Sequence, residues 1–361
     1  MITKKCQRCG MIDLMKFIFS LVIVIYHARN MGLGNGLFLG GGYLPVEFFF
    51  LVSGFLMAKS VKRIEDKQSF TPEETWKFLW RKIRVFLPYY IFAFALSFII
   101  RSYMGDYSLY QILKNGLSSI WSFAFLTISG IKSYSVIGGI WYISAMLISM
   151  LIIYPFLRRY RKAYIFIATP IIAILILGYL SQTFGTLEQT TKTFNLVHPG
   201  LLRAMAEVSL GCLCFELCQI LEKYEFKLFG KIFLTVVEIF AYALVLRSML
   251  SRSDLGKYGF SLLIVIGICI ILSFSGKTLS THISGSVYTW LGKYSMIIYL
   301  NHFRIKDLIA FFTQDWTYWQ ALSVYIPAVL IVSLFCMIFM DAVMKVWPKT
   351  TGALRSILIK D

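Results

Sequence analysis

The sequence predicts an all-α fold, a polytopic transmembrane helical bundle of about ten spans, on three observations. Of 361 residues, 58% are hydrophobic and 15% charged, against roughly 25% charged in soluble domains. The apolar residues fall in runs of about 20, the length that crosses a bilayer core of about 30 Å. The basic residues gather in the short segments between those runs, as in cytoplasmic loops.

The expected spans are 12–30, 44–60, 84–101, 137–157, 163–180, 200–221, 230–248, 258–275, 287–304 and 320–345. The first is kept as a span because Met11–Tyr26 is too long for a signal-peptide core and no small-residue cleavage pattern follows it. The second opens after Gly40, Gly41 and Gly42, which permit a tight or re-entrant turn. The third follows the basic stretch Lys77 to Arg84, the fourth ends at Arg158 and Arg159, and the fifth begins after Arg161 and Lys162. Lys223, Lys227 and Lys231 separate the sixth from the seventh, and Lys345, Lys349, Arg355 and Lys360 close the tenth. Segment 109–130 is apolar but broken by Lys114, Asn115, Gly116 and several serines, and reads as interfacial or re-entrant.

Charge sets the expected sidedness. With the amino terminus inside, Lys4, Lys5 and Arg8, the 59–84 loop with Lys59, Lys62, Arg63 and Lys67, and the later clusters all fall on the cytoplasmic face. Both termini are then inside. Counting 109–130 as a span would move every later cluster outside. The net charge of +18 is spread over these loops rather than one face, which argues against a nucleic-acid partner. No loop is long enough for a soluble domain, so residues 1–361 are expected to form one membrane domain in contact with lipid. Five of the seven cysteines lie in apolar runs, and Cys6 with Cys9 makes a lone C-x-x-C without the second pair a closed zinc site needs, so no metal is expected.

Ionisable residues at membrane depth are costly, and they are the functional candidates. Lys16 and His27 are eleven residues apart, which returns to within about 20° of one helix face, about 16 Å along it. Glu47 lies about as far from the hairpin tip as His27, so an antiparallel pair is expected to bring them together as a general-base dyad or a structural pair. His302, with Asn301, falls at a similar depth near the end of its span. Arg203 and Glu207 stand early in the sixth span, as an ion pair or as site residues. Arg81 and Arg84 with Lys16 make either a basic mouth for a phosphate-bearing ligand or ordinary positive-inside anchoring.

These residues resemble the acyltransferase 3 family of membrane acyltransferases. The similarity runs from Met11-Ile12-Asp13-Leu14-Met15-Lys16 through His27, to Glu47-Phe48-Phe49-Phe50-Leu51-Val52-Ser53-Gly54-Phe55, Arg81-Lys82-Ile83-Arg84, Trp141-Tyr142-Ile143-Ser144 and Leu291-Gly292-Lys293-Tyr294-Ser295 with Tyr299 to His302. The resemblance implies a ten-helix core, acetyl-CoA or another acyl-CoA as donor from the cytoplasm, His27 as catalytic base, and Lys16, Arg81 and Arg84 as donor contacts. It implies a glycan or lipid-linked sugar as acceptor, and the cytoplasmic membrane of a bacterium as the location. Lys16 departs from the arginine usual in the family, offering a point charge in place of a fork. The hydrolase-like extracellular domain of some relatives has no counterpart, so a second transfer step is not expected. Glu47 is then expected to orient His27, His302 and Asn301 to complete the acceptor side with Arg203 and Glu207 as further candidates, and Trp141 and Tyr142 to wall the pocket. The alternative is a polytopic exporter of a lipid-linked or anionic substrate, against which stands the lack of paired hydropathy halves.

Overall fold

A computed structural model describes residues 8–34, 36, 39–64, 70–131, 134–189 and 197–350. Lys4, Lys5, Cys6, Lys67, Arg355 and Lys360, singled out above, lie outside the described residues. The described chain is all-helical, as the sequence predicts. Its elements are α1 (Gly10–His27), α2 (Leu44–Lys62), α3 (Pro72–Met104), α4 (Leu109–Ser118), α5 (Ile140–Arg159), α6 (Arg161–Phe184), α7 (Pro199–Glu222), α8 (Leu228–Met249), α9 (Tyr258–Ser275), α10 (Ser286–Phe312) and α11 (Tyr318–Thr350). Single turns at Ile120–Phe123 and Leu279–His282 complete the list.

Among the described residues, nine helices are long and apolar enough to cross a membrane: α1–α3, α5–α9 and α11. The tenth expected span, α10, has the length, at 27 residues, but Lys293, Asn301, His302, Arg304 and Lys306 interrupt its apolar surface. It packs on α1, α3 and α11, and Asn301 and His302 are buried there. The outer surface is what lipid contact requires: Phe229 is 82% exposed and Ile174 and Ile264 71% each, on three different helices.

Local chemistry explains the helix ends. Pro45, Pro72 and Pro199 sit in the first turns of α2, α3 and α7, where a missing N–H costs nothing. Gly185 and Gly276 stop α6 and α9 in the left-handed region, at φ of 67° and 71°. α3 starts twelve residues earlier than the apolar run, because Glu73, Glu74, Lys77 and Arg81 extend the helix beyond its membrane-compatible part. α4 opens on a reciprocal capping box in which Ser108 accepts from the Gln111 N–H and Gln111 from the Ser108 N–H. α3 ends and α5 begins at the same end of the bundle: the Arg101 guanidinium near the end of α3 donates to the Ser135 carbonyl just before α5.

Two centres organise the bundle. α7 packs on α2, α5, α6 and α9, while α10 packs on α1, α3 and α11. At the α2–α7 crossing Gly54 and Gly211 meet backbone to backbone, an approach only small residues allow. The Gly40–Gly42 turn has no left-handed residue. Glycine is required there by crowding instead, since a side chain on Gly41 would run into Leu255 and Met249, and one on Gly42 into Tyr26.

Candidate active site

α1 places Lys16 toward one end of the bundle and His27 at the other, as its last helical residue. The His27 ring lies between His302 and Phe303 of α10, with centroids 5.0 and 4.5 Å away. Its Nδ1 is 2.9 Å from the Ile23 carbonyl. A carbonyl only accepts, so Nδ1 carries the proton and Nε2 the lone pair. His302 is arranged the same way, its Nδ1 donating to the Tyr299 carbonyl at 2.7 Å, and is fully buried.

Glu47 is not the partner of His27. Its carboxylate binds Arg203, at 2.9 Å from Nε and 2.5 Å from Nη2, and Glu207 accepts from the same Nε at 2.9 Å. Arg203 also donates to the Leu187 carbonyl at 2.8 Å. All three side chains are buried, which ions tolerate only when paired and hydrogen-bonded. Equal depth on α1 and α2 is therefore not contact. The group that fixes the His27 tautomer is a carbonyl one turn back on its own helix, a feature with no sequence signal.

Three cavities are lined by these groups. One of 320 Å³ is lined by His27, Tyr26, Trp141, Glu188, Arg203 and Tyr299. Another, of 690 Å³, shares His27 and opens at that end of the bundle. The third, of 760 Å³, runs from Arg8, Lys16 and Lys293 at the opposite end, past Phe49, Ser53, Trp290 and Tyr142, to Tyr299. Tyr299 thus belongs to both the long and the small cavity, and its hydroxyl donates to the Gly139 carbonyl at 2.5 Å. His27 belongs to both the small cavity and the open one. The long cavity has Lys16 in its wall and the small and open cavities both have His27, so walls at the two ends of α1 belong to successive cavities that share residues.

Of the expected site residues, His27 and His302 come together, Trp141 and Tyr142 wall the small and the long cavity, and Lys16 lines the basic mouth. Lys16 also bonds the buried Asp13 at 3.1 Å, beside Arg8. Arg81 and Arg84 lie on α3 outside the cavity linings, although Val85 and Phe86, next in sequence, are part of the wall. Asn301 turns away, its amide donating to the Ile297 carbonyl at 2.9 Å. Sequence reasoning missed Lys293, held by Asp341 at 2.6 Å, and Arg8 as the other cations of the mouth. Lys293 stands inside one of the motifs quoted above, so spacing within that motif was the available signal. Cys9 makes a hydrogen bond to the Ser273 carbonyl at 3.2 Å.

A family model described as an acyltransferase domain, Acyl_transf_3, matches residues 11–341, most of the chain. The chain belongs to the acyltransferase 3 family. It is a multi-pass membrane acyltransferase, and its chemistry requires an acyl donor and an acceptor. No curated protein and no solved structure matches the chain.

Proposed function

We propose that the protein is an O-acyltransferase that moves an acetyl or other short acyl group from cytoplasmic acyl-CoA to a hydroxyl of a cell-surface or lipid-linked glycan, in the cytoplasmic membrane of a bacterium. Both termini face the cytoplasm, and the end bearing Arg8, Lys16 and Lys293 is the donor mouth. These cations meet the phosphates of the donor, with Arg81 and Arg84 drawing it in from α3. The acyl-bearing arm extends past Phe49 and Tyr142 toward Tyr299.

The acceptor enters from the His27 end. His27 Nε2 takes the proton of the acceptor hydroxyl, the oxygen attacks the thioester carbon, the C–S bond breaks, and the proton passes to the departing thiolate to give the ester and free thiol. Alternatively His27 itself carries the acyl group between the two halves, with the same overall balance. His302 packs against the reacting imidazole. The Glu47–Arg203–Glu207 cluster acts as a positioning element, tying α2 to α7 beside the small cavity.

The observation that carries this reading is the His27 imidazole, its Nδ1 proton bound by the Ile23 carbonyl and its ring on the wall shared by two cavities. The test uses purified protein in lipid nanodiscs with radiolabelled acetyl-CoA, following acyl transfer to glycan and release of free thiol. Wild type transfers label, and His27→Ala loses about 10²–10⁴-fold in rate while keeping its elution profile. Unchanged transfer by His27→Ala would rule the mechanism out.

A further inference from the structure

The open cavity at the His27 end has a charge that acyl transfer to a neutral sugar does not require. Its lining includes Arg101, Arg304 and Lys306 and, among the described residues, a single acidic side chain, Asp307, leaving a formal excess of two positive charges. Asp307 is shared: Arg304 Nη1 reaches it at 2.5 Å and Lys306 Nζ at 3.0 Å. The guanidiniums are otherwise held by neutral groups. Arg101 donates to the Ser135 carbonyl at 2.5 Å and stacks 4.1 Å from the centre of the Tyr134 ring, while Arg304 Nε donates to the Val136 carbonyl at 2.6 Å.

This arrangement fixes the three cations in place and leaves two of their charges without a carboxylate to match. Carbonyls and a ring face satisfy the donor geometry of a guanidinium and leave its charge in place. An ordinary structural ion pair would instead match each cation with a carboxylate. Lys306 lines the small cavity as well as the open one, so one cation extends from the entrance to His27. Asn30 and Gln314 add amides suited to hydroxyl groups.

Resting on the acyl transfer proposed at His27, we infer that the acceptor bears an oxyanion, a carboxylate or a phosphate, which Arg101, Arg304 and Lys306 hold while a hydroxyl of the same molecule meets His27. The cavity selects an acidic sugar unit or a phosphorylated one over a neutral unit.

The experiment measures binding of three labelled probes, methyl glucuronide, glucose 1-phosphate and methyl glucoside, to the full chain in phosphatidylcholine nanodiscs, alongside acyl transfer to each. At least one anion binds about tenfold or more tightly than the glucoside, the scale of one charge-assisted contact, and the tighter of the two anions names the group. Lys306→Gln and Arg101→Gln, on two different helices, each remove about tenfold of that anion's affinity and leave the glucoside unchanged. Anion binding no tighter than that of the glucoside, including none at all, overturns the inference, as does anion binding untouched by both variants. Transfer to glucoside without anion preference sinks this inference alone, whereas anion binding without any acyl transfer sinks the transfer reading and leaves the anion site standing.

Discussion

His302 faces His27 with ring centroids 5.0 Å apart, and each imidazole gives its Nδ1 proton to a carbonyl of its own helix. Two helices that pack along their length, α1 and α10, therefore fix both rings in the same tautomer without a carboxylate. His302→Ala removes the wall on one side of the His27 ring and lets it rotate. The expected result is a fall in kcat of about 10–100-fold, the cost of an ångström-scale misplacement, with the donor KM unchanged. Steady-state kinetics at saturating acceptor check it, and an unchanged kcat would remove His302 from the acceptor side.

The Glu47–Arg203 pair separates a structural carboxylate from a catalytic one. Arg203→Ala leaves Glu47 and Glu207 buried without their counter-charge and is expected to cost about 3–5 kcal/mol of stability. Glu47→Gln keeps the shape and one hydrogen bond and costs less, about 1–3 kcal/mol. Thermal unfolding in detergent reads both. Were Glu47 the orienting partner of His27, Glu47→Gln would instead leave the melting temperature alone and move the pH–rate profile.

Why the sequence foretold the spans but not this pairing is a matter of what each depends on. A span is set by bilayer thickness, a property of about 20 consecutive residues that can be read locally. That is why α1, α2 and α5–α9 lie close to their expected positions. α3 exceeds its expected bounds because its first turns need no apolar residues, and α10 carries Asn301 and His302 where packing against other helices buries them and Lys293, Arg304 and Lys306 where cavities adjoin it. Depth along a helix was legible too, and it put His27 and His302 at one level. The partner of Glu47 was not, because it depends on how α2 and α7 are rotated against each other at the Gly54–Gly211 crossing, 157 residues apart in the chain. Lys293 joins Lys16 at the mouth through the packing of α10 on α1, a contact equally remote in sequence.

Lys16 tests the donor mouth. Its ammonium bonds Asp13 at 3.1 Å and lines the long cavity, so Lys16→Gln removes a cation while sparing the fold a new buried charge. The donor KM is expected to rise about tenfold or more, the ~1.5 kcal/mol or more of a charged hydrogen bond, with kcat on bound donor little changed. Lys16→Arg keeps the charge, adds a planar fork and is expected to hold KM at or below the wild-type value. Initial rates against acyl-CoA concentration decide it. Equal KM for Lys16→Gln and wild type would move the donor phosphates elsewhere, with Arg8 and Lys293 the next residues to substitute.

The Gly54–Gly211 crossing carries the last prediction. A β-carbon on Gly54 would come within 3.1 Å of the Gly211 Cα and closer still to the Val208 carbonyl, and one on Gly211 within 3.0 Å of the Gly54 Cα. Both obstacles are backbone, so neither can swing aside, and the helices must separate. Gly54→Ala is expected to destabilise by about 1–3 kcal/mol, the range of an overpacked core. Separation also pulls Glu47 from Arg203, since the two residues lie near the same ends of α2 and α7. The double variant Gly54→Ala with Arg203→Ala should therefore cost less than the sum of its parts, because the pair is already strained when the helices part. Melting temperatures of the two single variants and the double variant test this. Strict additivity would mean that the crossing and the ion cluster hold α2 to α7 independently.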